Sequence, residues 1–379
     1  MKVAEYEQWS AAELAGAVGR REVSAGEVIE AALGRIREAD VWLRAFRQVW
    51  AERARAAAAA IDREPTARLG RPLLGVPIAV KHGGTAYVGP LVAAGAIPIG
   101  TTATPGPGTA WQTWGQTDRG PTLNPWNRDV VPGGSSAGSA VAVAASMVPL
   151  ATGTDGAGSI RIPAAWCAVP GLKPTNGSIP TADRTGLAVG GAIARNLDDL
   201  RLYLSVMTGT DAQPPPILRV TWSPDLGFAD TDPEVASIAR TALMKLLAHD
   251  TFEAVEVPVE IRDPAAAWML VRAGRADGTG VRQANDDRLR EVFAVVDVIA
   301  TPTTPNLPHG HDGPGDVLSV ALTWAFNLSG HPAVSLPAGF ARSGLPVGLQ
   351  LVARHREEDR LLAALGRSAH ACSSGSRIR

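Results

Sequence analysis

The sequence predicts an α/β protein with a largely buried sheet. Segments of helical periodicity alternate with short apolar runs along its 379 residues. LLGVPIAVK (residues 73–81) is an aliphatic and β-branched run without polar alternation, the pattern of a strand covered on both faces. DVIATPT (297–303), HPAVSLPAGF (331–340) and PVGLQLVAR (346–354) carry the same signal towards the other end of the chain.

From Ser10 to Ala60 the pattern is helical. Ser10 with Glu13, and Ser24 with Glu27, have the spacing of a capping box, where serine and glutamate satisfy each other's backbone N–H. WAERARAAAAAIDR (50–63) is an alanine-rich helix with a charged face. After the strand ending at Lys81, residues 85–96 read as a helix and AIPIG (96–100) as a short strand. Residues 101–134 read as loop, because Pro105, Pro107, Pro121, Pro125, Pro132 and many glycines interrupt regular structure. AGSAVAVAASM (137–147) suits a tightly packed helix of small residues, PVEI (258–261) a strand, and Asn327–Gly330 a turn. REEDRLLAALGRSAHA (356–371) is the final helix, and the tail through residue 379 is expected to fray.

Composition narrows the function classes. With 36 basic and 37 acidic residues the net charge is −1, which offers no electrostatic footprint for nucleic acid. No segment has the ~18 unbroken apolar residues of a membrane span. The opening MKVAEYEQWSAAELAG lacks the apolar core of a signal peptide, so a cytoplasmic location is expected. Cys167 and Cys372 are far apart and outside any CxxC, which argues against a disulfide framework or a zinc knuckle. His309, His311 and Asp312 are metal-ligand types, but between Pro308 and Pro314 they are read as a loop over a substrate cleft, and no metal is expected.

The densest chemistry lies in Gly133–Pro163, where two small-residue loops, GGSSAGS and GTDGAGS, flank an apolar segment. Serine supplies a nucleophile, and glycine lets backbone N–H groups crowd a developing negative charge, which suggests acyl transfer by Ser135 and Ser159. The G-x-S-x-G match centred on Ser136 is not a nucleophile elbow, because NPWNRDVVPG in front of it is no apolar strand. There is no GK[ST] and no strand–GxGxxG–helix, so nucleotide binding is not expected. Lys81 is one of only four lysines in the chain. At the end of a buried strand it is either a desolvated base near neutral pH or a lysine reaching into water.

GVPIAVK, PGGSSAGSAVAVAA and GTDGAGSIRIPAAWCAVPGLKPT, with VDVIATPTTP, FNLSGHPAVSLPAG and LPVGLQLV, resemble the amidase signature family of amide hydrolases from about residue 7 to 368. The resemblance implies the family's fold, a large mixed sheet with helices on both faces. It implies one domain over 1–370, with N-terminal helices (10–63), a catalytic core (70–205) and a C-terminal half (215–370). It implies Ser159 as nucleophile, Ser135 as bridging serine after a cis peptide bond, and Lys81 as base. It further implies an oxyanion hole from the amides of Gly156, Ala157 and Gly158 with that of Ser159, and no cofactor. Thr154, Asp155, Arg161 and Ser136 are candidates to support the site. Asp155 and Arg161 either pair to fix the loop or form an ordinary surface pair, and Ser136 and Ser139 are candidate helix caps. Trp111, Trp114 and Trp324 either border an acyl pocket suited to a bulky hydrophobic group or are core residues.

Three departures from the family stand out. Ala157 occupies a usual glycine, which matters only if the backbone there needs positive φ. His82 follows the base where the family more often has an acid. The chain is also short between Lys81 and Thr85 and between Arg272 and Val281, from loops either truly deleted or omitted from the sequence. A true deletion requires an unbroken backbone at both places and leaves the base less walled. The leading expectation is hydrolysis of a small-molecule carboxamide. Alternatives are the A-type component of an amidotransferase, an acyltransferase to an amine and an inactive binding protein, the last disfavoured by the intact Lys81, Ser135 and Ser159. A homodimer is compatible with the sequence.

Overall fold

A computed structural model describes residues 1–64, 70–210 and 217–369; the expected frayed tail and the last residues of the expected final helix lie outside them. Among the described residues eleven strands form one mixed sheet. In spatial order they are Phe46–Val49, Ile97–Thr102, Pro77–Lys81, Leu150–Asp155, Val189–Ala194, Gly171–Lys173, Ala333–Phe340, Pro346–Ala353, Val298–Pro302, Leu218–Trp222 and Phe252–Ala254. Apart from the antiparallel edge pair of Phe46–Val49 with Ile97–Thr102, pairing is parallel near both ends and antiparallel through the centre.

Helices cover both faces, and the strand Pro346–Ala353 shows how period-two alternation sorts them. Val347, Leu349, Leu351 and Ala353 join the main core with Val235, Ala239 and Leu243 of helix Pro233–Leu247. The intervening Gln350 and Val352 point the other way, Gln350 onto Arg161 and Val352 into a second apolar cluster.

Both capping boxes form as expected. Ser10 Oγ accepts from Glu13 N–H (3.1 Å) and the Glu13 carboxylate from Ser10 N–H (2.7 Å), opening helix Ala11–Arg20. Ser24 and Glu27 do the same for Ala25–Leu43. The helical region is interrupted, however, by the edge strand Phe46–Val49. The buried Asp40 carboxylate accepts from Ala45 N–H (2.7 Å) and Phe46 N–H (3.0 Å), satisfying backbone donors that leave the helix there.

Other local expectations change. Residues 85–96 form a single 3₁₀ turn, Thr85–Tyr87, and a five-residue helix, Gly89–Ala93, because Gly84, Gly89 and Gly95 break the run. PVEI forms no strand. Pro258 has no N–H to give to a ladder, and the flanking Val257 N–H bonds the Thr221 hydroxyl instead. Asn327 lies inside the short helix Ala325–Leu328, with the turn displaced to Gly330 (φ +83°). The loop region expected over 101–134 begins only after Thr102, because Thr101 and Thr102 end the strand Ile97–Thr102; from there it is irregular backbone apart from a short hairpin, Gln116–Thr117 with Gly120–Pro121, and isolated bridges at Thr104 and Val130.

Tight turns close within both short segments. Gly84 N–H closes a turn onto the Lys81 carbonyl (2.9 Å), and Gly274 N–H one onto Val271 (2.9 Å). No described helix is long and apolar enough to cross a membrane.

Candidate active site

Two parallel strands and two glycine-serine loops build the site. Pro77–Lys81 and Leu150–Asp155 pair in parallel, Ile78 with Leu150 and Ala79 with Ala151, so Lys81, Thr154 and Asp155 finish at the same sheet edge. Ligand sites in open α/β sheets favour the carboxyl ends of strands. Helix Ala137–Ala144 packs closely on neighbouring backbone and must be made of small residues: a Cβ on Gly138 would stand 2.1 Å from the Ala45 carbonyl oxygen. The Gly134–Ser135 peptide that leads into it is cis, as the resemblance implies.

Lys81 is 6% exposed, which removes the reading of a lysine reaching into water. Its Nζ donates to Ser135 Oγ (2.9 Å), Thr154 Oγ1 (2.7 Å) and the Thr154 carbonyl (3.2 Å). Burial pushes its pKa down to about 7, against the opposing pull of the Asp155 carboxylate. Ser135 and Ser159 line one cavity of about 530 Å³, and Ser136 N–H fixes the two loops together by donating to the Ser159 carbonyl (3.0 Å).

Asp155 and Arg161 are a fully buried pair, not a surface one. All five guanidinium N–H groups are used: Nε and Nη2 on the Asp155 carboxylate (3.0 and 2.8 Å), Nη2 also on Asn327 Oδ1 (2.5 Å), and Nη1 on Gln350 Oε1 (2.7 Å) and the Thr323 carbonyl (3.0 Å). The carboxylate also accepts from the backbone of Gly158 (2.7 Å) and Ile160 (3.1 Å), the two neighbours of Ser159. Burial alone would raise the Asp155 pKa; Arg161, Lys173 and Asn327 outweigh it and hold the group well below the usual carboxylate range.

One of the amides expected in the oxyanion hole has a partner within the protein. Gly158 N–H is committed to Asp155, and Gly158 does not line the cavity, whereas Gly156, Ala157 and Ser159 do. Gly158 has a different job, since its φ is +113° and an added Cβ would meet Thr323 Oγ1 at 2.4 Å. Ala157 is not among the residues with positive φ, so alanine there fits the loop. Gly158→Ala is therefore expected to cost about 2 kcal/mol or more in urea denaturation, with Ala157→Gly within about 1 kcal/mol of the parent.

Trp111 and Trp324 line the cavity as expected. Trp114 does not. It packs in a small core with Val131, Ile162 and Trp166 and donates its indole N–H to Thr109 (2.9 Å). The third tryptophan on the wall is Trp268, from helix Ala265–Arg272, with its ring centroid 6.2 Å from that of Trp324. Ile162, Leu318 and Val320 extend this apolar wall.

Ser136 and Ser139 are not side-chain caps. Among the described residues Ser136 Oγ is buried without a partner, and Ser139 bridges Thr102 Oγ1 (2.8 Å) and the Thr152 carbonyl (2.9 Å). His82 is exposed on a separate cleft with Arg47, Gln48, Gly83 and Thr101. His309 bonds Thr113 Oγ1 (2.6 Å) and His311 the Arg128 carbonyl (3.0 Å), while Pro314 and Gly315 of the same loop reach the cavity. No group of three metal-ligating side chains occurs among the described residues.

Comparison with known proteins fits this geometry. A family model described as Amidase matches residues 85–278 and 275–362. The chain is 32% identical over 431 residues to the putative amidase AmiA2 of Mycobacterium bovis, covering 90% of this chain and 89% of the relative. It is also 32% identical over 461 residues to the A-type component of the glutamyl-tRNA(Gln) amidotransferase of Methylococcus capsulatus, covering 93% and 94%. Both alignments are longer than the 379-residue chain, so these relatives carry residues that it lacks. Among solved structures, a bacterial aryl acylamidase of the amidase signature family superposes with a TM-score of 0.78 at 25% identity, covering 95% of this chain and 96% of that one. The matched model, the identity across nine-tenths of the chain and the shared fold place this amide-hydrolysing enzyme in the amidase signature family.

Proposed function

We propose that the protein hydrolyses a small-molecule carboxamide with a hydrophobic or aromatic acyl group, through an acyl-enzyme on Ser159. The observation that carries this reading is the 2.9 Å contact of buried Lys81 Nζ with Ser135 Oγ, beside the cavity that also holds Ser159. A serine hydroxyl attacks poorly until its proton is removed. Neutral Lys81 takes the Ser135 proton, Ser135 takes that of Ser159, and Ser159 Oγ attacks the amide carbon. The amides of Gly156, Ala157 and Ser159 receive the oxyanion, each such donor being worth roughly 3–4 kcal/mol. Ser135 returns its proton to the departing nitrogen, and water releases the acid by the reverse relay. Residues 1–370 act as one catalytic domain in this reading.

The test is a panel of aryl, alkyl and amino-acid amides with Ser159→Ala as control, alongside labelling by a hydrophobic phosphonate. Turnover of aryl or alkyl amides with phosphonate on Ser159 supports the proposal; a folded protein that does neither overturns it.

Lys81 also sets an expected pH dependence. With a pKa near 7 its neutral, proton-accepting form is lost on acidification, so kcat/KM should fall about tenfold per unit below that value. The unfolded chain holds this proton up to about pH 10.4, so the lysine's share of stability should rise with pH between about 7 and 10. A rate profile flat from pH 5 to 9 would remove Lys81 as the base.

The similarity to a component of an amidotransferase supports a second reading, ammonia release from glutamine for a partner. Glutamine carries both charges of an amino acid head, and the one charged side chain lining the described cavity, Arg272, already lies 3.6 Å from Asp183. Ammonia release from glutamine exceeding that from aryl amides would favour this reading instead.

A further inference from the structure

We infer that Trp268 is a positioning residue for the oxyanion hole, acting through the peptide between Gly156 and Ala157. The inference rests on the acyl-transfer reading above. Trp268 Nε1 donates to the Gly156 carbonyl at 2.9 Å, across 112 residues of sequence. In a trans peptide the C=O and the following N–H point in opposite directions. Holding the Gly156 oxygen on the indole therefore fixes the direction of the Ala157 N–H, one of the three amides left for the oxyanion once Gly158 is committed to Asp155.

The next peptide is held at both ends. Thr323 Oγ1 lies 2.6 Å from the Ala157 carbonyl and 3.0 Å from that of Val320; its single proton serves the shorter contact best. The other end of that plane is the Gly158 N–H on Asp155. With the second plane locked from two sides, the first has, among the described residues, one side chain on its oxygen, and that is Trp268. Without the indole N–H the Gly156–Ala157 plane can rotate, and its carbonyl can turn towards the position where negative charge develops. The same indole forms part of the acyl wall beside Trp324. It thus couples occupancy of the pocket to the alignment of a backbone donor. No local feature of AAAWMLVR marks this role, because the hydrogen bond exists only in the folded chain.

Trp268→Phe keeps an aromatic wall and removes the donor. On the best amide found for the parent enzyme, kcat is expected to fall about tenfold to a hundredfold while KM stays within about threefold, the signature of an interaction realised in the transition state. The rate of phosphonate labelling at Ser159 should fall with kcat. Affinity for a non-hydrolysable analogue that lacks the carbonyl, such as the matching alkylamine, should hold within about threefold. A Trp268→Leu variant removes both ring and donor and should weaken binding as well. Circular dichroism and urea midpoints confirm folding of each. If Trp268→Phe keeps parental kcat, or loses only KM, the positioning role is overturned. If the parent itself cleaves no amide and takes no phosphonate, it is the underlying acyl-transfer reading that fails.

Discussion

Ser159→Ala and Lys81→Met are each expected to lower kcat/KM by about 10⁴-fold or more on any amide the parent cleaves. The reason is chemical interdependence. Ser159 is the only attacking atom in the proposed path, and its proton leaves through Ser135 to Lys81, whose Nζ sits 2.9 Å from the bridging hydroxyl. Removing any member stops the transfer, so Ser135→Ala should fall in the same range, and the Ser159→Ala, Lys81→Met pair should be little worse than either alone. Lys81→Met also takes a depressed-pKa amine out of a buried site, where a thioether of similar length has no charged form to desolvate. It is expected to keep or gain stability below pH 7 while losing activity. Steady-state kinetics with urea midpoints at pH 6 and 8 separate these effects. Additive losses in the double variant would show that the residues do not act as one relay.

The pairing of the serines with Lys81 was expected from the resemblance to the amidase signature family, while the residues alone left Lys81 open between a base and a lysine reaching into water. The capping boxes at Ser10 and Ser24 were legible directly, because each is a short, contiguous pattern. What was not legible depends on how side chains are aimed by tertiary structure. Trp111 and Trp114 lie three residues apart on irregular backbone, and only Trp111 faces the cavity. The resemblance implied a donor role for Gly158; that the Asp155 carboxylate also accepts from its N–H was not foreseen, although an aspartate three residues ahead of a glycine is a signal for such a contact. Trp268, Thr323, Asn327 and Gln350 reach the loop from more than a hundred residues away, and nothing local to them marks it. The strand Pro346–Ala353 did announce a buried segment, but not that Gln350 within it would meet Arg161.

Breaking that buried pair is expected to give the largest loss of stability among these variants. Asp155 and Arg161 are both fully buried, and removing one partner strands the other's charge away from water, typically at about 3–5 kcal/mol. Asp155→Ala should fall in this range, because it leaves the guanidinium with only Asn327, Gln350 and the Thr323 carbonyl, and frees Gly158 and Ile160 N–H. Arg161→Lys is not a conservative change here. Five donors in a fixed plane meet four partners, and an ammonium has three donors and no fork to match them. It should cost about 2 kcal/mol or more by urea denaturation despite keeping the charge. Asp155 adds a pH signature of its own. Its folded pKa lies below the unfolded value near 3.9, so its contribution is present above that value and is lost as pH falls towards the folded one. Parental stability should therefore drop steeply below about pH 4, and the Asp155→Ala variant should show a shallower acid limb. Because the carboxylate grips both neighbours of Ser159, the same variant should lose activity even at temperatures where it remains folded. An Asp155→Ala protein with parental stability would mean that the Arg161 charge finds compensation outside this network.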